Sequence, residues 1–107
     1  MATKPKMYLS GKITGLHVKD YTASFNYWKK FFTKKGYKVI SPIDLPHNHP
    51  KEWDEYMRED IKALVNCDSL FAMNNWFDSK GATLEVEIAK TLEMEIFYED
   101  KIKEYSW

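Results

Sequence analysis

Apolar residues follow two rhythms along this chain. Short runs bounded by turn formers alternate with longer segments in which apolar positions recur every three or four residues. Met7-Tyr8-Leu9, halted by Ser10-Gly11, predicts a strand over residues 6–10. Residues 21–35 place Tyr21, Phe25, Trp28, Phe31 and Phe32 on one side and lysines on the other, an amphipathic helix closed by Gly36. A second strand, residues 37–40, stops at Ser41-Pro42. Residues 52–66 read as a second helix with Trp53, Tyr56 or Met57, Ile61, Leu64 and Val65 inward. Residues 68–73 form a third strand, apolar enough to be buried on both faces, with Asp68 anchoring the turn into it. A third helix over 79–92 follows, capped by Asp78 or Ser79, and 95–98 is the fourth strand. The tail predicts a final helical turn, with Tyr105 and Trp107 packing back or onto a neighbouring subunit.

The order β-α-β-α-β-α-β, with no internal repeat or linker, implies an α/β three-layer sandwich in one domain spanning 1–107. The expected sheet is parallel, flavodoxin-like or Rossmann-like, with four to five strands in the order 2-1-3-4. Ligands bind such sheets beyond the carboxyl ends of the strands. Here those ends are the GKITG loop, a proline-histidine loop and the loop NNWFDSKG.

The third helix carries an acid close to its apolar side. At about 100° per residue, Leu84, Ile88 and Leu92 share a stripe, and Glu85 falls on its edge, beside Ala89 and over Gly81. Glu87 and Glu93 point to solvent. Burying a carboxylate costs on the order of several kcal/mol unless it is paired, so Glu85 either has a hidden partner or serves chemistry. Asp60 adjoins Met57, Ile61 and Leu64 around the second helix. It stands either at the edge of that stripe or, with Arg58, among surface charges.

The glycines at 11 and 15 permit close approach to a ligand or simply a strand-to-helix turn; the sequence is not a P-loop. His47 and His49 lack further ligands at a recognisable spacing. A proline-pinned loop over a pocket fits them better than a metal site, and no metal or cofactor is expected. Trp53 and Trp76 suit either base stacking or ordinary packing.

Composition narrows the partners. In 107 residues, sixteen basic and sixteen acidic side chains cancel, and the lysines are scattered, so no polymeric nucleic acid is expected. One cysteine, Cys67, excludes an intramolecular disulfide and reads as a small buried hydrophobe. No run is long enough to span a membrane and no signal-peptide core is present, which predicts a cytoplasmic protein.

Taken together, YLSGKITG, WDEYMREDIKALVNCDSLF and NWFDSKGATLEVEIA resemble the nucleoside 2-deoxyribosyltransferase-like superfamily. Within it, the chain is similar to a compact branch of unknown function common in bacteria and phages. The resemblance covers residues 6–98 and is carried by Gly81, Glu85 and Ala89, by Asp60 ahead of Asp68, and by Gly11. It implies Glu85 as the nucleophile that attacks the anomeric carbon of a nucleoside or nucleotide. Asp60 would orient and protonate the reacting groups, and Tyr8 would lie beside the sugar. It further implies substrate contacts from Gly11, Lys12, Ile13, Ser79, Gly81 and Ala82, to which Trp76 is added as a candidate for base stacking, and a homodimer or larger homo-oligomer. The chain departs from the superfamily in its shorter length, in lacking a full fifth strand, and in Lys12 where many branch members have proline. A binding protein for a nucleotide or nucleotide-derived signal is the alternative expectation.

Overall fold

Two residues apart on a strand means the same side of a sheet, and that alternation builds both cores of this protein. A computed structural model describes residues 3–46 and 52–107. Four strands, β1 (Lys6–Ser10), β2 (Lys38–Ile40), β3 (Ser69–Ala72) and β4 (Glu95–Tyr98), form one parallel sheet in the order β2-β1-β3-β4. This is the expected order, with four strands and no fifth among the described residues. Met7, Leu9 and Phe71 turn to one face and meet Phe25 and Phe32 of α1 (Val18–Lys34). Tyr8, Leu70 and Ala72 turn to the other, toward Leu64 of α2 (Trp53–Leu64) and Val86 and Ala89 of α3 (Lys80–Thr91). In register, Tyr8 lies opposite Ile40 on one side and Leu70 on the other. Burying one such side chain contributes about 1.5–3 kcal/mol.

The helix ends follow local chemistry. α1 begins three residues before its aromatic stripe because His17 caps it, Nδ1 accepting from the Lys19 N–H at 3.2 Å. It closes where Gly36 takes φ +97°, a conformation that costs glycine no steric strain. There the Gly36 and Tyr37 N–H groups donate to Thr33 and Phe32 carbonyls, a Schellman ending. α2 starts with a reciprocal capping box between Glu52 and Glu55 and stops at Leu64, two residues short of expectation. Asp68 ties the start of β3 to β1 rather than holding the turn from α2, Oδ2 accepting from the Lys6 N–H at 2.8 Å.

Two expected helix faces are corrected. On α3, Leu84 and Leu92 are 39% and 53% exposed, and the buried face is Ala82, Glu85, Val86 and Ala89. The helix has turned its small side chains to the sheet, which allows close approach, and Glu85 lies at the centre of the buried face, not on its edge. On α2 the inward row is Met57, Asp60 and Leu64, while Trp53 and Val65 are exposed. Asp60 is therefore a buried acid rather than a surface charge.

After β4 the chain enters a 3-10 segment (Glu99–Glu104) and folds back over α1. Trp107 packs against Phe31, Phe32 and Phe97, and the Tyr98 N–H donates to the Tyr105 hydroxyl at 2.9 Å. Of the two expected roles for the tail, this is the intramolecular one. No helix among the described residues is long and apolar enough to cross a membrane.

Candidate active site

β1 brings two hydroxyls to the face under α3. Tyr8 and Ser10, two residues apart, project from the same side of the strand, and both are fully buried. Glu85 descends from α3 onto them, only 4% exposed. The Tyr8 hydroxyl donates to Glu85 Oε2 at 2.6 Å, and the Ser10 hydroxyl donates to Oε1 at 2.8 Å. Each carboxyl oxygen is thus held by its own donor, which explains how an acid occupies the middle of an apolar face.

The electrostatics of the group are set by competition. Burial pushes the Glu85 carboxyl up from 4.5 to about 8; the two hydroxyl hydrogen bonds oppose that rise, and the nearby charge of Asp60 adds to it. Tyr8 is held well above the ordinary tyrosine range by burial, by the charges of Glu85 and Asp60, and by its bond to Glu85. The shared proton accordingly stays on the phenol. Cys67 is likewise raised, to about 11, chiefly by burial, and its Sγ contacts the Ala63 carbonyl at 3.4 Å, in keeping with a packing role.

Glu85 faces a cavity of about 870 Å³ at the carboxyl ends of β1 and β2. The structure brings Asp60, Gly11, Ile13, Ser79, Gly81 and Ala82 to its walls, together with Glu85. Gly11 has a further constraint: a Cβ there would lie 2.7 Å from Met73 Sδ, so the strand end packs too closely for a side chain. Ser79 is the N-cap of α3, its Oγ accepting from the Ala82 N–H at 3.1 Å. Lys12 is not in the lining but fastens the rim. Its N–H donates to Asn75 Oδ1 at 3.0 Å, and its ammonium pairs with Asp78, which does line the cavity, at 2.7 Å.

Trp76 is not brought to this cavity. It packs against Tyr98 and Phe77 around a separate depression at the ends of β3 and β4. A short 3-10 turn (Trp76–Asp78) sends Asp78 to the cavity and Trp76 away from it. The tryptophan on the cavity is Trp53, with the Lys80 ammonium 4.1 Å from its ring centroid. Sequence reasoning also passed over Ser10, although its two-residue spacing from Tyr8 was the available signal. Thr22 and Asn26 of α1 line the wall as well, and their four-residue spacing on one helical face is the only trace they leave.

Among the described residues, no group of three or more His, Cys, Asp or Glu side chains is arranged to hold a metal ion. His47 and His49 lie outside the described residues.

Comparison with known proteins agrees with the architecture. A family model for a domain of unknown function, DUF4406, matches residues 5–98, from just before β1 to the end of β4. No curated protein matches the chain in sequence. Among solved structures, a 2-desoxiribosyltransferase from Leishmania mexicana has a similar fold, with a TM-score of 0.67 and 17% identity. The similarity covers 88% of this chain and 63% of that one, so the chain spans less than two thirds of the relative's length.

Proposed function

The chain belongs to the DUF4406 family, and we propose that its cavity binds a nucleoside or nucleotide whose N-glycosidic bond is cleaved through Glu85. The observation that carries this reading is a buried carboxyl, fixed by two hydroxyls and facing a cavity large enough for such a ligand. The fold shared with a 2-desoxiribosyltransferase supports the substrate class.

Glycosidic cleavage passes through an oxocarbenium-like state, which a carboxylate stabilises and then traps. The ionised Glu85 attacks the anomeric carbon. The bond from that carbon to the base nitrogen breaks, its electron pair stays on the base, and the base takes up a proton. Asp60, on the same cavity wall, is positioned to orient and supply that proton. Water or a second base then attacks the same carbon, its proton returning to Asp60, and the bond from that carbon to Glu85 breaks to release the carboxylate, giving hydrolysis or 2-deoxyribosyl transfer. Trp53 offers a flat ring for the base, a contact worth about 1–3 kcal/mol.

The test is chromatography of nucleosides and 5′-monophosphates incubated with the purified protein. Base release that disappears in Glu85→Ala, with the variant still folded, supports the reading. Failure of the native protein to release base from any of them refutes it.

One observation favours a second reading, binding without turnover. A carboxyl pushed to about 8 is only roughly a tenth ionised at pH 7, so the resting group is chiefly an acid. A pure binding site would yield its ligand unchanged, and Glu85→Gln would keep the native affinity.

A further inference from the structure

A buried acid that changes charge during a reaction needs partners suited to both of its states. A serine hydroxyl has one proton to give and two lone pairs to receive with. Ser10 Oγ stands 2.8 Å from Glu85 Oε1 and 3.5 Å from the Ala82 carbonyl oxygen, so its single proton goes to one or the other. Tyr8 is different: burial and the neighbouring acids keep its proton in place, and it donates to Oε2 throughout.

We propose that Ser10 is the positioning residue of Glu85, a hydroxyl that donates to Oε1 when the carboxyl is ionised and, when it is protonated, turns to the Ala82 carbonyl and accepts the Oε1 proton. The carboxyl then gains and loses its proton without moving its oxygens. The acidic proton resides on Oε1, and Oε2 stays bonded to Tyr8.

The other groups around Glu85 do not duplicate this. Tyr8 reaches it from β1 and Asp60 acts on it from α2 by charge. Asp78 and Lys80, from the segment leading into α3, line the same cavity, but Asp78 is taken by Lys12 and Lys80 lies over Trp53. Asp44, which also lines the cavity, is paired with Lys29 at 2.8 Å. Hydrogen bonds to a charged group are stronger than those to its neutral form, so losing the Ser10 hydroxyl penalises the carboxylate more than the acid.

The experiment follows Glu85 itself in Ser10→Ala, a near-isosteric change. Carboxyl resonances of protein labelled with 13C at glutamate are recorded from about pH 5 to about pH 10, where Glu85 is identified by its loss in Glu85→Gln. The control is Ser41→Ala, which removes a buried hydroxyl that makes no hydrogen bond to Glu85. The expected result is that Glu85 in Ser10→Ala titrates about one pH unit or more above the native protein, and Ser41→Ala titrates as native. Coincident Glu85 titrations in the native and Ser10→Ala proteins overturn the proposal.

Base release measured across the same range rests additionally on the catalytic reading above. Its rising limb should move with the titration, leaving Ser10→Ala roughly tenfold slower at pH 7 and converging with native at high pH. A native protein that releases no base, with the titration still displaced in Ser10→Ala, removes the glycosidic reading and leaves the Ser10 inference standing. An active native protein with an unmoved titration removes Ser10 alone.

Discussion

Replacing Glu85 with glutamine should make this protein more stable, and by an amount that depends on pH. In the folded protein the carboxyl keeps its proton up to about pH 8, whereas the unfolded chain releases it near 4.5. Between those values the folded state binds the extra proton, so raising the pH favours unfolding; below 4.5 both states are protonated and the effect vanishes. Each pH unit in that interval costs about 1.4 kcal/mol, which gives about 3 kcal/mol at pH 7 and about 5 kcal/mol above pH 8. Glutamine has no proton to lose. Its carbonyl accepts from Tyr8 and its amide donates to the Ser10 oxygen, whose own proton turns to the Ala82 carbonyl. With an unfolding entropy of about 2.1 cal/mol/K per residue, about 3 kcal/mol corresponds to roughly 10–15 °C in Tm. Thermal melts of native and Glu85→Gln protein, followed by circular dichroism from about pH 4.5 to about pH 9, test this. The gap in Tm should open from its value at the acid end and level off near pH 8. Parallel Tm curves over the whole range would mean that Glu85 titrates normally, and the electrostatic account of the site would fall.

Other outcomes follow from the same geometry. Trp53→Ala should weaken nucleoside binding by about 1–3 kcal/mol in calorimetry, and Trp76→Ala should leave it unchanged; the reverse result would place the base at the other depression. Tyr8→Phe removes the donor to Oε2, so the pH at which Glu85 ionises should rise by about one pH unit, read from the same carbon resonance. Glu93 ends α3 in the left-handed region at φ 58°, with its N–H donating to the Lys90 carbonyl and that of Met94 to Ala89. Glu93→Gly should raise stability by about 0.5–1 kcal/mol in denaturant melts, and a loss would show that the Glu93 side chain makes a compensating contact.

Much of the architecture is legible before folding. The limits of β1 and β4 coincide with the apolar runs because Ser10-Gly11 and the charged pair Glu99-Asp100 interrupt them sharply. The parallel pairing of the sheet follows from strict alternation of strands and helices joined by right-handed crossovers. Helical spacing alone separated Glu85 from Glu87 and directed attention to α3. The Gly36 ending of α1 was equally readable, since glycine adopts its left-handed angle without strain.

What the tertiary structure decided is which side of each helix faces in and where each loop residue points. Hydrophobicity favours Leu84 and Leu92 as inward positions, yet α3 buries Ala82 and Ala89 because small side chains let it approach the sheet, with Glu85 between them. That placement depends on Tyr8 and Ser10, which are some seventy-five residues away in the chain and become neighbours only through the β1–β3 pairing and the crossover of α3. Asp60 reads either as the edge of an apolar stripe or as a surface charge beside Arg58 until α2 is docked and it becomes part of a buried wall. Trp76 lies in a short turn with no periodicity to orient its side chain, and the helical spacing that counts Trp53 among the inward residues of α2 does not tell a core position from a cavity wall. Local pattern determines which segments are helix and strand. The partners that make a buried carboxyl tolerable, and the cavity it faces, arise from contacts between segments distant in sequence, which local periodicity does not encode.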